Sequence, residues 1–408
     1  MTHDFVSLAL IALVAAAAPI IANLIPKKPI PETVLLLIGG ALLGPSMANV
    51  IWTDESVMLL SDLGCAMLFL LAGYEINPRT ITGREGKRGL MTWVITFALG
   101  FGAVYCFTGV SARGLDGLAV TIALTTTAIG ALMPILKERG LLGTRLGDSI
   151  LSYGTWGELG PIVAMALLLS TRSTWTTASI LVLFIVIAVL TAVFGHESSK
   201  KEGPIRDIFF AGRDTTSQTF VRITMLLLIA LVTLSSLFSL DIVLGAFAAG
   251  FILRYIIPKG SQDLEKKLNA IGYGFLIPLF FVISGAKIDL LAVAENPLLL
   301  VGFIAMLVLI RAVPIFLSMR YDKDPEVAEL GGRAHASVAL YCTTALPLIV
   351  AVTSVAVNAG AMSDSTASVF VSAGALTVLI MPLIASATYR VADAHPIERL
   401  REGRAGHE

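Results

Sequence analysis

The feature that most constrains this chain is a succession of apolar stretches of roughly 17–25 residues, the length a helix needs to cross a bilayer. Thirteen can be marked, near Asp4–Leu24, Glu32–Met47, Ser56–Tyr74, Gly89–Val110, Gly117–Leu136, Asp148–Leu168, Thr176–Phe194, Val221–Leu240, Asp241–Ile257, Ala270–Ile288, Pro297–Met319, Ala334–Val357 and Ser365–Tyr389. The second and ninth are short. The eighth and ninth would suit one long helix, but Ser235, Ser236, Ser239 and Asp241 mark a break between them. In lipid each backbone polar group must be satisfied within the chain, so each stretch is expected to be helical. Composition agrees: 56% of the 408 residues are hydrophobic and 14% charged, against about a quarter charged in soluble domains. The expected fold is an all-α polytopic membrane protein of about 13 transmembrane helices.

Charge narrows the function. The 29 basic and 29 acidic residues cancel, so no basic field points to nucleic acid. Cys65, Cys106 and Cys342 lie in apolar runs at unrelated spacings. They read as small core residues, not as a disulfide or metal set. The five histidines are scattered, and neither a cofactor nor a resident metal is expected. No nucleophile–base set suggests an enzyme. The first residues, Met-Thr-His-Asp, lack the positive region of a signal peptide, so the first stretch is expected to be a span. With the N-terminus outside, 25 of the 29 Lys and Arg residues fall in cytoplasmic loops and the C-terminal tail. Arg113, Arg172 and Lys287 fall on the other side, and Arg311 lies within a span. This asymmetry predicts an N-terminus outside, a C-terminus in the cytoplasm and a place in the cell (inner) membrane.

Three pairs of segments match in order at nearly constant offset. Leu37–Leu43 matches Phe247–Leu253 with Gly40 on Gly250; Leu68–Asn77 matches Phe280–Asp289; Thr126-Thr127-Ala128 matches Thr343-Thr344-Ala345. The offsets, 210, 212 and 217, correspond to seven spans. An odd shift makes matched spans antiparallel, the arrangement of inverted-repeat transporters. The expected domain is 1–389, with repeat one at about 4–168, a connector span at 176–194 and repeat two at about 221–389. Residues 390–408 form a short cytoplasmic tail.

The fifth and twelfth stretches carry helix-weakening residues at matched places: Thr125-Thr126-Thr127-Ala128-Ile129-Gly130 with Pro134, and Thr343-Thr344-Ala345-Leu346-Pro347. Unwinding is expected at Thr126–Ile129 and Thr343–Leu346, with the two breaks crossing. Paired interruptions in two halves point to a transport site, because freed backbone groups can hold an ion; packing between helices is the plainer alternative. Two ionisable residues lie deep in spans, Glu158 and Arg311, and such residues are expensive in lipid. For Arg311 the alternative is snorkelling to the headgroups. A carboxylate can hold either a proton or a hard monovalent cation, and threonine hydroxyls with freed carbonyls can complete the cation's shell. Glu158, Thr126 and Thr127 are therefore the expected ion- and proton-binding residues. Arg311 is the supporting charge, and Thr125, Ala128, Thr343 and Thr344 form the crossover.

At these residues the chain resembles the bacterial monovalent cation/proton antiporter family, which includes sodium/proton exchangers and Kef-type potassium/proton antiporters. The resemblance is carried by Ile30-Pro31-Glu32-Thr33, Gly39–Pro45, Phe69–Ile76, Leu136–Gly140, Leu244–Gly250 and Ile277–Val282, in that order. It implies a homodimer built from a core with the crossing broken helices and a dimerisation domain including spans 1–3 and 8–10, moving like an elevator. It places the family's essential carboxylate on Glu158 and its basic partner on Arg311. Where members usually show Asp-Asp, Asn-Asp or Gln-Asp, this chain has Gly157-Glu158: the acid is one methylene longer and has no polar neighbour. A single carboxylate implies electroneutral exchange of Na⁺ or K⁺ for H⁺, with a role in pH homeostasis. The tail is too short for the nucleotide-binding domain of Kef-type relatives. Two other readings are a non-transporting membrane sensor, resting on the Gly-Glu pair, and a transporter of another solute.

Overall fold

The computed structural model describes residues 2–24, 31–76, 83–108, 115–168, 218–238, 240–257, 262–322, 324–328 and 330–389, with isolated positions 179, 182 and 186. Every regular element among them is helical. Among the described residues, eight helical stretches are long and apolar enough to cross a membrane, one of them (Gly331–Asn358) interrupted midway, and shorter apolar stretches lie at Glu32–Leu43, Ile242–Ile256 and, also interrupted, Gly117–Met133. Twelve of the thirteen expected stretches fall on helices. The connector at 176–194, apart from isolated positions, and the tail at 390–408 lie outside the described residues.

The chain divides into two compact units. The first comprises Met1–Arg79, Ile162–Glu295 and Ser354–Ser368; the second comprises Thr80–Pro161, Asn296–Thr353 and Val369–Glu408. The helices of spans 1–3 and 8–10 thus fall in the first unit.

In the first unit, α1 (Thr2–Leu24), α2 (Glu32–Leu43) and α3 (Glu55–Glu75) are followed by α8 (Thr219–Leu237) and α9 (Ile242–Ile256). The break between α8 and α9 falls where the serines and Asp241 placed it. Asp241 is the N-cap of α9, its carboxylate accepting the Val243 N–H at 2.8 Å. Next come α10 (Gln262–Ile271), a π-helical turn at Gly272–Leu276, α11 (Ile277–Ala286) and α12 (Leu290–Glu295). The π turn precedes Pro278, which has no N–H to continue the ordinary ladder.

Packing in this unit repeats the sequence duplication. A Cβ on Gly40 would strike the Val282 carbonyl, and one on Gly250 the Leu70 carbonyl. Gly40 and Gly250 are matched positions, and so are Leu70 and Val282. Likewise a Cβ on Gly73 would strike the Phe247 carbonyl and one on Gly285 the Leu37 carbonyl, with Gly73 matched to Gly285 and Leu37 to Phe247. α2 meets α11, and α3 meets α9, as two copies of one close backbone contact. Only a residue without a side chain permits that approach.

The second unit holds α4 (Arg84–Thr108), α5 (Leu115–Leu124), α6 (Ile129–Glu138) and most of α7 (Arg145–Leu168). Then come α13 (Pro297–Leu307), a π-helical turn at Val308–Ala312, α14 (Val313–Arg320) and α15 (Pro325–Ala328). α16 (Gly331–Tyr341) and parts of α17 (Leu346–Asn358) and α18 (Asp364–Thr388) complete it. Leu132, Leu136, Ile150, Ile315, Val338 and Tyr341 are among the side chains of its core. The 24 residues of α7 span about 36 Å at about 1.5 Å per residue, enough for a hydrocarbon core about 30 Å thick. Cys65 and Cys342 are buried, but Cys106 is exposed on α4, which corrects its reading as a core residue. An apolar run does not distinguish a face turned to lipid from one turned to protein.

Candidate functional site

The two expected interruptions are present in the second unit, each one residue earlier than the sequence suggested. α5 ends at Leu124 and α6 begins at Ile129; α16 ends at Tyr341 and α17 begins at Leu346. The gaps are Thr125–Ala128 and Cys342–Ala345, and Ile129 and Leu346 are already helical. The shift has a local cause. The Thr125 hydroxyl donates to the Ile122 carbonyl at 2.9 Å, and that of Thr126 to the Ala123 carbonyl at 2.7 Å. The Thr125 N–H also turns to Ile122 O at 3.0 Å. Hydroxyls thus compete with amides for the last carbonyls and tighten the turn before the expected break. At the matched position the Thr343 hydroxyl donates to Leu340 O at 2.6 Å.

The amides freed by the first gap find partners across the unit. The Ala128 N–H donates to the Thr344 carbonyl at 2.9 Å, joining the two gaps. The Thr127 N–H donates to the Gly157 carbonyl at 2.7 Å. That carbonyl is open because its helical partner four residues on is Pro161, which has no N–H. The Thr127 hydroxyl donates to the Cys342 carbonyl. Thus α5/α6, α7 and α16/α17 meet at one point. Thr125, Thr126, Thr127, Thr343 and Thr344 are all 0% exposed there, and Ala128 is 2% exposed.

Arg311 comes to the same point. It sits in the π-helical turn before Pro314 and is 1% exposed, so it does not snorkel. Its Nε donates to the Thr127 hydroxyl at 3.0 Å and its Nη2 to the Tyr153 carbonyl at 2.9 Å. Glu158, the residue after Gly157 on α7, is 3% exposed. The structure therefore brings together Thr127, Ala128, Thr344, Arg311 and the α7 backbone beside Glu158. The hydroxyls of Thr125, Thr126 and Thr343 turn back onto their own helices. The Thr344 hydroxyl is buried and makes no hydrogen bond among the described residues.

Sequence reasoning did not single out the polar groups lying beyond Arg311. Ser318, seven residues on, receives the Thr92 hydroxyl at 2.9 Å and lies 3.0 Å from the Tyr153 hydroxyl. Asp322, eleven residues on, pairs with Arg88, and its side chain is 1% exposed. Ser318 follows Arg311 at a two-turn spacing, and Asp322 lies just past the end of α14. Read with Arg88 and Thr92 one turn apart on α4, that spacing was the available signal.

Comparison with known proteins agrees in kind. A family model described as "Sodium/hydrogen exchanger, transmembrane" matches residues 9–390. YjbQ of Bacillus subtilis, a candidate Na(+)/H(+) antiporter, is 25% identical over 414 residues, covering 96% of this chain and 64% of its own length. A second candidate, Na(+)/H(+) antiporter 3 of Methanocaldococcus jannaschii, is 25% identical over 307 residues, covering 74% of this chain and 77% of its own. The glutathione-regulated potassium-efflux system protein KefC of Escherichia coli is 27% identical over 290 residues, covering 67% of this chain and 45% of its own. The chain thus spans just under two thirds of YjbQ and under half of KefC. Among solved structures, the sodium proton antiporter MjNhaP1 of Methanocaldococcus jannaschii shares the fold, with a TM-score of 0.61 at 15% identity over 96% of this chain and 98% of that one.

Proposed function

We propose that this chain, which belongs to the sodium/hydrogen exchanger family, exchanges a monovalent cation, Na⁺ or K⁺, for H⁺ across the cell membrane. The observation that carries the reading is the junction of the two interrupted helices, where Ala128 N–H meets Thr344 O and Thr127 N–H meets the carbonyl next to Glu158. Helix interruptions at matched places in two halves are the pattern of secondary-transporter binding sites. A buried acid at such a junction can hold a proton or a cation, but not both well. Occupancy by one expels the other, and that competition couples the two fluxes. One carboxylate binding either one proton or one monovalent ion gives electroneutral exchange.

In this reading Glu158 is the shared ligand. The Thr344 hydroxyl, buried with no hydrogen bond among the described residues, is a further oxygen for the cation, beside Thr126 and Thr127. Arg311 is the fixed charge that tethers the crossover. The second unit carries the site, the first forms the homodimer, and the site-bearing unit moves as an elevator between the two faces. The N-terminus lies outside and the C-terminus in the cytoplasm.

The test is exchange in proteoliposomes loaded with a pH dye, with Na⁺ and K⁺ each imposed as the driving gradient over a pH series. Glu158→Gln keeps the shape and removes the charge, so cation-driven proton movement should vanish while the folded protein persists. For the wild type, apparent cation affinity should weaken as pH falls, approaching about tenfold per pH unit where one proton displaces one cation. Wild-type exchange by Glu158→Gln would place the carboxylate elsewhere and end this mechanism.

A further inference from the structure

We propose that Gly157 is a positioning residue that sets cation affinity: carrying no side chain, it admits the Arg311 guanidinium against the helix that bears Glu158. A fixed positive charge then stands where a polar neighbour of the acid would otherwise project. The inference rests on the exchange function proposed above.

The geometry is specific. A Cβ built on Gly157 would overlap Arg311 Nη2 and would lie 2.5 Å from the Thr127 hydroxyl oxygen and 2.7 Å from Thr127 Cβ. The guanidinium, the far end of a flexible side chain, would have to move aside, and the Thr127 contacts are tight. The guanidinium is held on two sides, by the Thr127 hydroxyl and by the Tyr153 carbonyl one turn before Gly157. Thr127 is itself fixed, through its N–H to Gly157 O and its hydroxyl to Cys342 O. Other glycines of α7 meet different groups: Gly154 faces the Ile129 side chain and Gly160 the Trp93 ring. Gly157 is the one of these three that faces a charge.

Placement of that charge has a consequence for binding. A guanidinium is always protonated and cannot step aside by losing charge. Buried against the helix that bears the acid, it opposes any cation that enters and so acts as a permanent competitor. Binding is weaker for it, and release is faster. The missing polar neighbour of Glu158 is thus replaced from another helix.

The test is a double-mutant cycle on the full chain, with Gly157→Ala, Arg311→Ala and the pair. Two readouts are needed: apparent KM for the transported cation against maximal rate in proteoliposomes at alkaline pH, and thermal unfolding of the purified protein. Gly157→Ala displaces the guanidinium and should tighten apparent cation affinity by about tenfold, or 1.4 kcal/mol. It should also lower the unfolding midpoint. In the Arg311→Ala background the same substitution should leave affinity unchanged and cost less stability, because the contact with the guanidinium is gone and those with Thr127 remain. Weakened or unchanged affinity in Gly157→Ala, or an equal stability cost in both backgrounds, would overturn the proposal; the second result would show that Thr127 alone needs the glycine. If the wild-type protein moves neither Na⁺ nor K⁺, the exchange reading fails by itself. The unfolding cycle then still decides whether Gly157 makes room for Arg311.

Discussion

Replacing Arg311 by methionine separates the fold's need for this residue from the site's need for it. Methionine keeps an unbranched stem of similar reach and loses the charge. The structure assigns the guanidinium two hydrogen bonds, to Thr127 Oγ1 at 3.0 Å and Tyr153 O at 2.9 Å. Hydrogen bonds to charged groups contribute about 1.5–3 kcal/mol each, so the gross loss is about 3–6 kcal/mol. Two effects offset it. A charge that is 1% exposed costs several kcal/mol to desolvate, and methionine removes that cost. Neither acceptor is orphaned: the Thr127 hydroxyl still donates to Cys342 O, and the Tyr153 carbonyl lies inside α7. The net change should be about 2 kcal/mol or less, a shift of a few degrees in the unfolding midpoint. Exchange should respond far more strongly. Without the fixed charge the site binds its cation tightly and releases it slowly, so the maximal rate should fall by about tenfold or more. Arg311→Lys keeps the charge without the planar fork and should lie between. The assay pairs thermal unfolding in detergent with dye-based exchange in proteoliposomes. A folded Arg311→Met protein that exchanges within about twofold of wild type would refute the reasoning, as would one that does not fold.

Thr344→Val is the complementary case. It removes a buried hydroxyl that makes no hydrogen bond among the described residues, so stability should hold or rise by about 1 kcal/mol, while the cation's apparent KM should rise; an unchanged KM in transport would remove Thr344 from the proposed shell. In the first unit, Gly40→Ala and Gly250→Ala each drive a methyl into a neighbouring backbone carbonyl and should each cost about 1–3 kcal/mol or more. Gly102→Ala, with nothing among the described residues within 4 Å of its Cβ, should be neutral or stabilising by about 0.5–1 kcal/mol, and equal unfolding midpoints for all three would refute the close-contact reading.

Features that depend on a run of residues were legible in the sequence. Twelve apolar stretches lie on helices, and the break before Asp241 falls where a short polar cluster interrupts them. The interruptions at Thr125–Ala128 and Cys342–Ala345 were visible as threonines with a nearby proline. Their exact start was not, because it depends on whether a hydroxyl or an amide wins a given carbonyl. Arg311 could be placed in a span but not aimed: inward burial and snorkelling give the same residue at the same depth. Gly157 was read as a missing polar group, and its contact with Arg311 joins positions 154 residues apart in sequence. A glycine carries no pattern that announces what fills the space beside it. Pro161 was a missed opportunity, since a proline four residues after Gly157 opens that carbonyl by covalent structure alone.

The paired glycine contacts of the first unit bear on how such a sequence can drift over generations. In each contact one partner contributes the absence of a side chain and the other contributes a carbonyl oxygen. Every amino acid has the carbonyl; only glycine has the absence. Leu37, Leu70, Phe247 and Val282 are therefore replaceable by any residue that fills the same apolar volume, while Gly40, Gly73, Gly250 and Gly285 are fixed. Duplication would have passed both halves the same four-part lock, and mutation since then can erase the likeness on the carbonyl side without loosening either copy. Ancestry should thus persist longest at the glycines. A set of related sequences in which those four positions vary as freely as their carbonyl partners would count against this descent.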